Sequence, residues 1–164
     1  MIHQSHGIGT PKAESAGSFV AALNAHVEYV PHIERITTEN AARLLDGYQL
    51  VLDGTDNFGT RKIVAEAAEA AGIPLVSGAV SMFDGQVTVL MPGGKQFRDL
   101  DPDTPDEADL PSCEVVGVIG AVTGVIGTLM AMEAIKLVTG VGEPLVGRLL
   151  LYDGRAARFT ELNY

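Results

Sequence analysis

The order of hydrophobic and polar residues along the chain predicts alternating helices and strands that end in strands alone. Short apolar or alternating runs bounded by turn residues predict strands at residues 26–33, 48–52, 73–79 and 86–91. Proline, capping residues and glycines at their ends predict helices at residues 11–25, 39–45, 59–71 and 116–138. Two closing runs, joined at Asp153-Gly154, predict a terminal hairpin of residues 147–152 and 156–163.

This order of elements predicts an α/β fold. Alternating helices and strands favour a mostly parallel sheet with helices on both faces. The last strands of such a sheet are often antiparallel to the rest, and a turn at Asp84-Gly85 adds another reversal of direction. A chain of 164 residues, 46% of them hydrophobic, has the size of a single domain with a real core.

Residues 50–57, Leu-Val-Leu-Asp-Gly-Thr-Asp-Asn, are the stretch around which the other elements are arranged. A buried strand runs into Asp53, and the polar residues after Gly54 supply capping oxygens for the next helix. Ligands of open α/β sheets bind outside the carboxyl ends of the strands. Asp53 and Asp56, beside an anion-favouring helix N-terminus, would suit a magnesium ion that bridges phosphates. The simpler interpretation is a strand end followed by an ordinary helix cap.

Charge and cysteine content narrow the possible partners and the compartment. The net charge is −10 and the sequence pI about 4.7, so nucleic acids and anionic membranes are poor partners. Cys113 is the single cysteine, which excludes an intrachain disulfide and a cysteine-based metal site and suits a reducing cytoplasm. The first residues have no basic n-region followed by an apolar h-region, so we expect no secretory signal.

The apolar segment 115–132 is nearly long enough to span a membrane and carries no charge. Glycines interrupt it, and Glu133 and Lys136 continue the same helical pattern. A soluble, centrally buried helix is therefore the preferred interpretation over a transmembrane one. Its glycines, three and four residues apart, would let another backbone approach closely, within the sheet stack or across a dimer interface.

Residues 92–111 form a long polar insert with six acidic side chains, and we expect it to be mobile. Cys113 follows it, just before a predicted helix, where the helix dipole would stabilise a thiolate nucleophile. The alternative is a small, half-buried residue that only packs. Lys12 presents a similar choice near the start of an earlier helix, between a phosphate contact and a solvated lysine.

Five segments, taken in order, resemble the ThiF/MoeB/HesA family, the bacterial relatives of ubiquitin-activating enzymes. They are residues 10–15, 52–57, 111–113 with 117–120, 127–137 and 147–153. Each motif is modest alone, but five in the same order are highly specific and cover nearly the whole chain. The resemblance implies a Rossmann-like fold in a single domain, residues 1–164, with a mobile acidic loop at about 92–113.

The resemblance also implies an activity and its residues. The family adenylates the C-terminal glycine carboxylate of a ubiquitin-like sulfur carrier that ends in Gly-Gly. It uses ATP and Mg²⁺, releases pyrophosphate and serves thiamine or molybdopterin sulfur transfer. By this resemblance, Asp56 is catalytic and holds the magnesium ion, and Lys12 reaches the phosphates. Asn57 and Arg61 belong to the same nucleotide site. Cys113 is the loop cysteine that takes over the acyl or sulfur group.

Two departures from the family pattern are visible. Where the family has the first of two Cys-x-x-Cys zinc pairs, this chain reads Gln96-Phe97-Arg98-Asp99, so no zinc site is expected. The family's first βαβ unit, with its glycine-rich nucleotide loop, has no counterpart before residue 10. We therefore expect an N-terminally truncated domain that binds ATP weakly and does not catalyse ATP–pyrophosphate exchange alone.

Two functional hypotheses follow. The leading one is a cytoplasmic adenylyltransferase, or part of one, that forms a homodimer around the helix at 116–138. The alternative is a catalytically silent binding or dimerisation module derived from that family, which the lack of a glycine-rich loop favours. A flavodoxin-like or dehydrogenase-like domain has little support because the chain has no dinucleotide fingerprint. The sequence does not identify the sulfur carrier.

Overall fold

The computed structural model describes residues 2–3, 5–100 and 117–164, and its contacts fall into two units, Met1–Arg35 and Ile36–Tyr164. Cys113 and most of the acidic insert therefore lie outside the described residues. The single domain expected from the sequence stays a prediction. Each unit is described below by itself.

The first unit is built on helix α1 (Lys12–Leu23), which follows a 3-10 turn at Ser5–Gly7. The Tyr29 hydroxyl donates to the carbonyl of Ala13 over 2.7 Å, and its ring lies so close to Gly17 that a Cβ there would stand 2.8 Å from it. The strand predicted at 26–33 is wrong, because this segment has no β-pairing. Its tyrosine contacts α1 instead of a neighbouring strand.

The second unit contains one five-stranded sheet with the strands in sequence order, β1-β2-β3-β4-β5. The strands are β1 (Val51–Asp53), β2 (Leu75–Ser81), β3 (Asp84–Leu90), β4 (Arg148–Asp153) and β5 (Arg158–Asn163). The helices are α2 (Ala41–Leu45), α3 (Phe58–Ala71), α4 (Phe97–Leu100) and α5 (Gly120–Thr139). β1 pairs with β2 in parallel, and the three later pairs are antiparallel. The α/β class and the terminal hairpin are confirmed, but the sheet is mixed and not mostly parallel, because one of its four strand pairs is parallel.

Helices cover both faces of this sheet, as predicted. Side chains alternate along the strands, so successive apolar residues lie on opposite faces, and each face packs against a helix. On one face, Val76 and Val87 pack with Val122 and Ile126 of α5. On the other face, the neighbouring Leu75 packs against α3. A slip of one residue in β2 would exchange the two cores, so burial on both sides fixes the register.

The sequence predicted that helix α5 is centrally buried. In the structure it packs along one face of the sheet, and its other side is exposed. Its buried residues recur every three or four positions and are Val122, Ile126, Met130 and Glu133. The close approach to the sheet comes from strand glycines: a Cβ at Gly78 would overlap Met130, and one at Gly85 would overlap Ile126. The helix glycines predicted to allow such packing face open space. By length and composition alone α5 could cross a membrane, but one of its faces contacts the sheet core.

Several predicted boundaries shift. The β2–β3 hairpin turns at Met82-Phe83, with φ +41° at Met82, and Asp84-Gly85 lies inside β3. α5 begins at Gly120 and not at residue 116, and α2 is preceded by Asn40, whose side chain accepts from the Thr37 amide over 2.7 Å. The β2–β3 turn is closed by the backbone pairing of Ser81 with Asp84, which composition does not reveal.

The first part of the insert is folded, which the prediction of a mobile stretch missed. Glu69 of α3 accepts hydrogen bonds from the Gly93 amide, 3.1 Å, and from the Gln96 side chain, 2.9 Å. α4 follows, and its Phe97 ring lies 6.1 Å from the ring of Phe58 at the start of α3. Hydrogen bonds to the Glu69 carboxylate and the packing of Phe97 on Phe58 therefore hold residues 93–97 in place.

A buried junction joins the last residue to the middle of the sheet. The Thr88 hydroxyl donates to the carbonyl of Arg148 over 2.8 Å and lies 2.8 Å from the Tyr164 hydroxyl. Burial is the main cause that raises the pKa of Tyr164 above its ordinary value, and the charge of Asp99 adds to it. The hydrogen bond to Thr88 opposes this rise.

Candidate functional site

The predicted site forms at the carboxyl end of β1, where the chain turns into α3. Asn57 is extended at φ −137°, and its side-chain oxygen accepts from the Thr60 amide over 2.8 Å. This is the N-cap predicted from the sequence, and it aims the helix N-terminus at the strand end. Gly72, in the left-handed conformation, ends the helix as predicted.

Asp53 and Arg61 form a buried ion pair beneath this turn. Asp53 is 2% exposed and Arg61 8% exposed, with 3.9 Å between Asp53 Oδ2 and Arg61 Nη1. Asp53 Oδ1 accepts from the Thr55 amide over 2.9 Å. Arg61 Nη2 donates to the carbonyl of Thr55 and, over 2.9 Å, to the carbonyl of Gly78 in β2. The guanidinium thus connects strand, loop, helix and neighbouring strand.

Asp56, in contrast, is exposed. The Asn57 side-chain amide lies 3.4 Å from Asp56 Oδ1. The two carboxylates that the sequence suggested as a pair therefore have different surroundings: Asp53 is buried beside the Arg61 guanidinium, whereas Asp56 is exposed. One carboxylate is available to a ligand, and the other belongs to the support beneath it.

The remaining predicted site residues are placed as follows. Lys12 is the first residue of α1 in the first unit, and its side chain is exposed. Cys113 lies outside the described residues. Within the described part of the chain, no three His, Cys, Asp or Glu side chains cluster to hold a metal ion.

Two contributors to the site have no distinctive sequence signal. The Gly78 carbonyl accepts from Arg61 but belongs to a residue 17 positions away, in the middle of a strand. Phe97, in the insert, packs on Phe58 next to the cap. Backbone acceptors and long-range aromatic pairs depend on the register of the sheet, which a single sequence does not specify.

The geometry described so far is an α/β sheet with an exposed carboxylate between a strand end and a capped helix. The model of the ThiF family matches residues 1–164 of this chain. The chain belongs to the ThiF family. Sequence relatives agree with this assignment. The SAMP-activating enzyme E1 of Haloferax volcanii is 40% identical to this chain over 164 residues. The match covers 100% of this chain and 61% of the relative.

A second ThiF-family relative is the sulfur carrier protein adenylyltransferase of Thermus thermophilus. It is 43% identical over 169 residues, covering 99% of this chain and 62% of the relative. The chain thus spans about three fifths of the length of these two relatives. The first relative is named for the activation of SAMP, and the second for the adenylylation of a sulfur carrier protein.

Solved structures show the same fold at low sequence identity. E. coli MccB with MccA-N7isoASN superposes with a TM-score of 0.84 at 13% identity, covering 99% of this chain and 51% of that one. E. coli MccB with ATP gives 0.83 at 12% identity, with coverage of 99% and 51%. At this identity the likeness supports the fold alone.

Proposed function

We propose that this chain forms part of an ATP-dependent adenylyltransferase that activates the C-terminal glycine carboxylate of a ubiquitin-like sulfur carrier. The observation that carries the proposal is the exposed Asp56, held between the end of β1 and the capped N-terminus of α3 in a ThiF-family chain. The names of the Haloferax and Thermus relatives support the substrate class.

The residues of the site suit magnesium ATP. Magnesium binds oxygen ligands and keeps several waters, so one exposed carboxylate with substrate phosphates can complete its shell. Bound there, magnesium would neutralise charge on the phosphates. In this proposal Asp56 holds the metal, and Asn57 lies beside it. The family resemblance alone assigns Lys12, as a cation, to the phosphates of the nucleotide. Arg61 belongs to the same site through the loop that it holds. No zinc is expected.

The carrier side of the reaction is proposed from the family alone. Cys113 would take over the acyl or sulfur group, and the carrier tail would end in Gly-Gly. Pathways of thiamine or molybdopterin type fit this chemistry. The chain would act in the cytoplasm, without nucleic acid or membrane partners.

Carrier-dependent ATP–pyrophosphate exchange tests the proposal. Because the chain spans about three fifths of its relatives, we would insert it in place of the matched region of the Thermus enzyme and assay the hybrid with the Thermus carrier. We expect exchange that Asp56→Ala reduces at least about 100-fold, since loss of a single charge-stabilising contact costs that much. Glu66→Ala, an exposed acid on the same helix, is the matched control and should leave exchange intact.

A second candidate function is a binding or dimerisation module, favoured by the outward face of α5. That face carries exposed Met132, Ile135 and Val138. A folded hybrid without exchange, which still binds the carrier in a pull-down with purified protein, would favour the module and contradict the adenylyltransferase. Exchange that persists in Asp56→Ala would contradict the assigned role of that residue.

A further inference from the structure

The two peptide groups that flank Thr55 are both held by hydrogen bonds to buried side chains. The Thr55 amide donates to Asp53, and the Thr55 carbonyl accepts from Arg61. Because a peptide bond is planar, the held carbonyl also orients the amide of Asp56 on the other side of the same bond. One residue later, the side chain of Asn57 is fixed by the Thr60 amide. The exposed Asp56 is thus held between two anchored neighbours.

Arg61 directs its donors inward. One guanidinium nitrogen reaches the carbonyls of Thr55 and Gly78, and the other faces the Asp53 carboxylate. A planar guanidinium presents donors in a fixed fork and can meet these oxygens together, whereas the ammonium of a lysine cannot. A side chain that is 8% exposed and engaged in this way supports the loop more readily than it binds a ligand.

The arrangement leaves hydrogen-bonding capacity unused. Asp53 Oδ2 and Thr55 Oγ1 are buried and have no hydrogen-bond partner among the described residues. Buried polar atoms without partners are destabilising and uncommon in native proteins. Such a cost is typical of sites whose geometry matters more than local stability.

We infer that Asp53 and Arg61 are positioning residues that set the place of Asp56 in the nucleotide site. This inference rests on the proposed function and refines the part that Arg61 plays in it. Arg61 acts through the carbonyl of Thr55. Asp53 acts through the amide of Thr55 and by charge pairing with Arg61. Neither side chain touches the nucleotide.

The test combines hydrogen exchange with metal binding in the 164-residue chain. Arg61→Lys keeps the charge but loses the fork, Arg61→Met removes both, and Asp53→Asn removes the counter-charge while keeping an acceptor. Arg158→Met makes the same change of side chain on the exposed strand β5 and serves as the matched control. The readouts are peptide-resolved exchange at residues 53–57 and the Kd of Mn²⁺·ATP from the free Mn²⁺ electron paramagnetic resonance signal.

We expect exchange at residues 53–57 to become at least about tenfold faster in both Arg61 variants, with exchange in β3 and β4 unchanged. The Kd of Mn²⁺·ATP should rise about 10–100-fold, as for other residues that orient a metal ligand. Asp53→Asn should change both readouts in the same direction. Asp56→Asn should raise the Kd while exchange at 53–57 stays as in the parent chain, which separates the metal ligand from its support. Arg158→Met should change neither.

Unchanged loop exchange and Kd in Arg61→Lys would overturn the inference. Hydrogen exchange that becomes faster uniformly over the sheet would also overturn the inference. Asp53 and Arg61 would then stabilise the whole core and not the loop in particular. If Arg61→Met does not fold, Arg61→Lys and Asp53→Asn decide the question. If neither the parent chain nor the hybrid with the Thermus enzyme binds Mn²⁺·ATP, the proposed function fails, and the hydrogen-exchange data alone confirm or overturn the hold of Arg61 and Asp53 on the loop.

Discussion

At the scale of single residues, Asn57 combines a structural and a site role, because its side chain caps α3 and borders Asp56. Asn57→Ala removes the acceptor of the Thr60 amide. We expect it to lower the free energy of unfolding by about 1 kcal/mol. Urea denaturation checks this, with Asn57→Ser as the control that keeps a capping oxygen. Equal stability of the alanine variant and the parent would show that the cap contributes nothing.

Residue types predicted a helix cap among the polar residues after Gly54, and the family resemblance selected Asp56, but neither predicted that Asp53 and Arg61 pair in the interior. Asparagine before a helical run has a local partner three residues on, so the sequence alone is sufficient to find it. Asp53 and Asp56 look alike in sequence, and they differ because only Asp53 faces the Arg61 guanidinium in the interior. That distinction depends on how β1, β2 and α3 pack.

At the scale of elements, glycines in the sheet and in α5 have opposite roles. A Cβ at Gly85 would overlap Ile126, a stiff β-branched side chain in the core, whereas nothing lies within 4 Å of a Cβ at Gly124 in α5. Gly85→Ala should lower the free energy of unfolding by about 1–3 kcal/mol. Gly124→Ala should raise it by about 0.5–1 kcal/mol through helix propensity. Thermal denaturation of the pair tests both signs, and equal shifts would contradict this account.

The junction of β3 with the end of β5 gives a pH prediction. The pKa of Tyr164 is raised in the folded chain, so its neutral form is favoured there. The stability from this group is fully present below about pH 10, the ordinary tyrosine pKa, and is lost as pH rises through the folded pKa.

Tyr164→Phe should cost about 1 kcal/mol at pH 8 through the lost hydrogen bond to Thr88. This difference from the parent chain should shrink as the pH rises above 10. Paired urea titrations at pH 8 and pH 10.5 measure it, and Tyr29→Phe, in the other unit, provides a tyrosine control. A difference that grows with pH would contradict the sign of the pKa shift.

Helices and strands were predictable where the residues that cap or pair them lie close by in the sequence. Helix α3 has its cap and its terminal glycine, and the last hairpin has a turn at Asp153-Gly154 between two adjacent runs that pair with each other. The failed strand at 26–33 has a strand-like composition, but a strand needs a neighbour to pair with, and Tyr29 contacts α1 instead. The fold at 93–97 depends on Glu69, more than 20 residues away, so composition suggested only a mobile loop.

At the scale of the whole molecule, the outward face of α5 points to self-association. Exposed Ile135 and Val138 lie on a helix whose glycines leave room for close approach. We expect a homodimer at tens of micromolar by light scattering. Ile135→Glu should shift it to monomer by burying an unpaired charge. Leu162→Glu, an exposed leucine on β5, is the control and should leave the dimer intact. A monomeric parent chain would contradict the expectation.

The local origin of the site has a consequence for the order of folding. The contacts that hold Asp56 span 2, 3, 6 and 17 residues, whereas Thr88 reaches partners 60 and 76 residues away. Short loops close at a lower entropic cost, so the β1–α3–β2 region can form before the terminal hairpin docks. Asn57→Ala should then slow folding, and Tyr164→Phe should mainly speed unfolding, in stopped-flow kinetics. The proposed nucleotide site would form early, and the strand at the edge of the sheet would pair last.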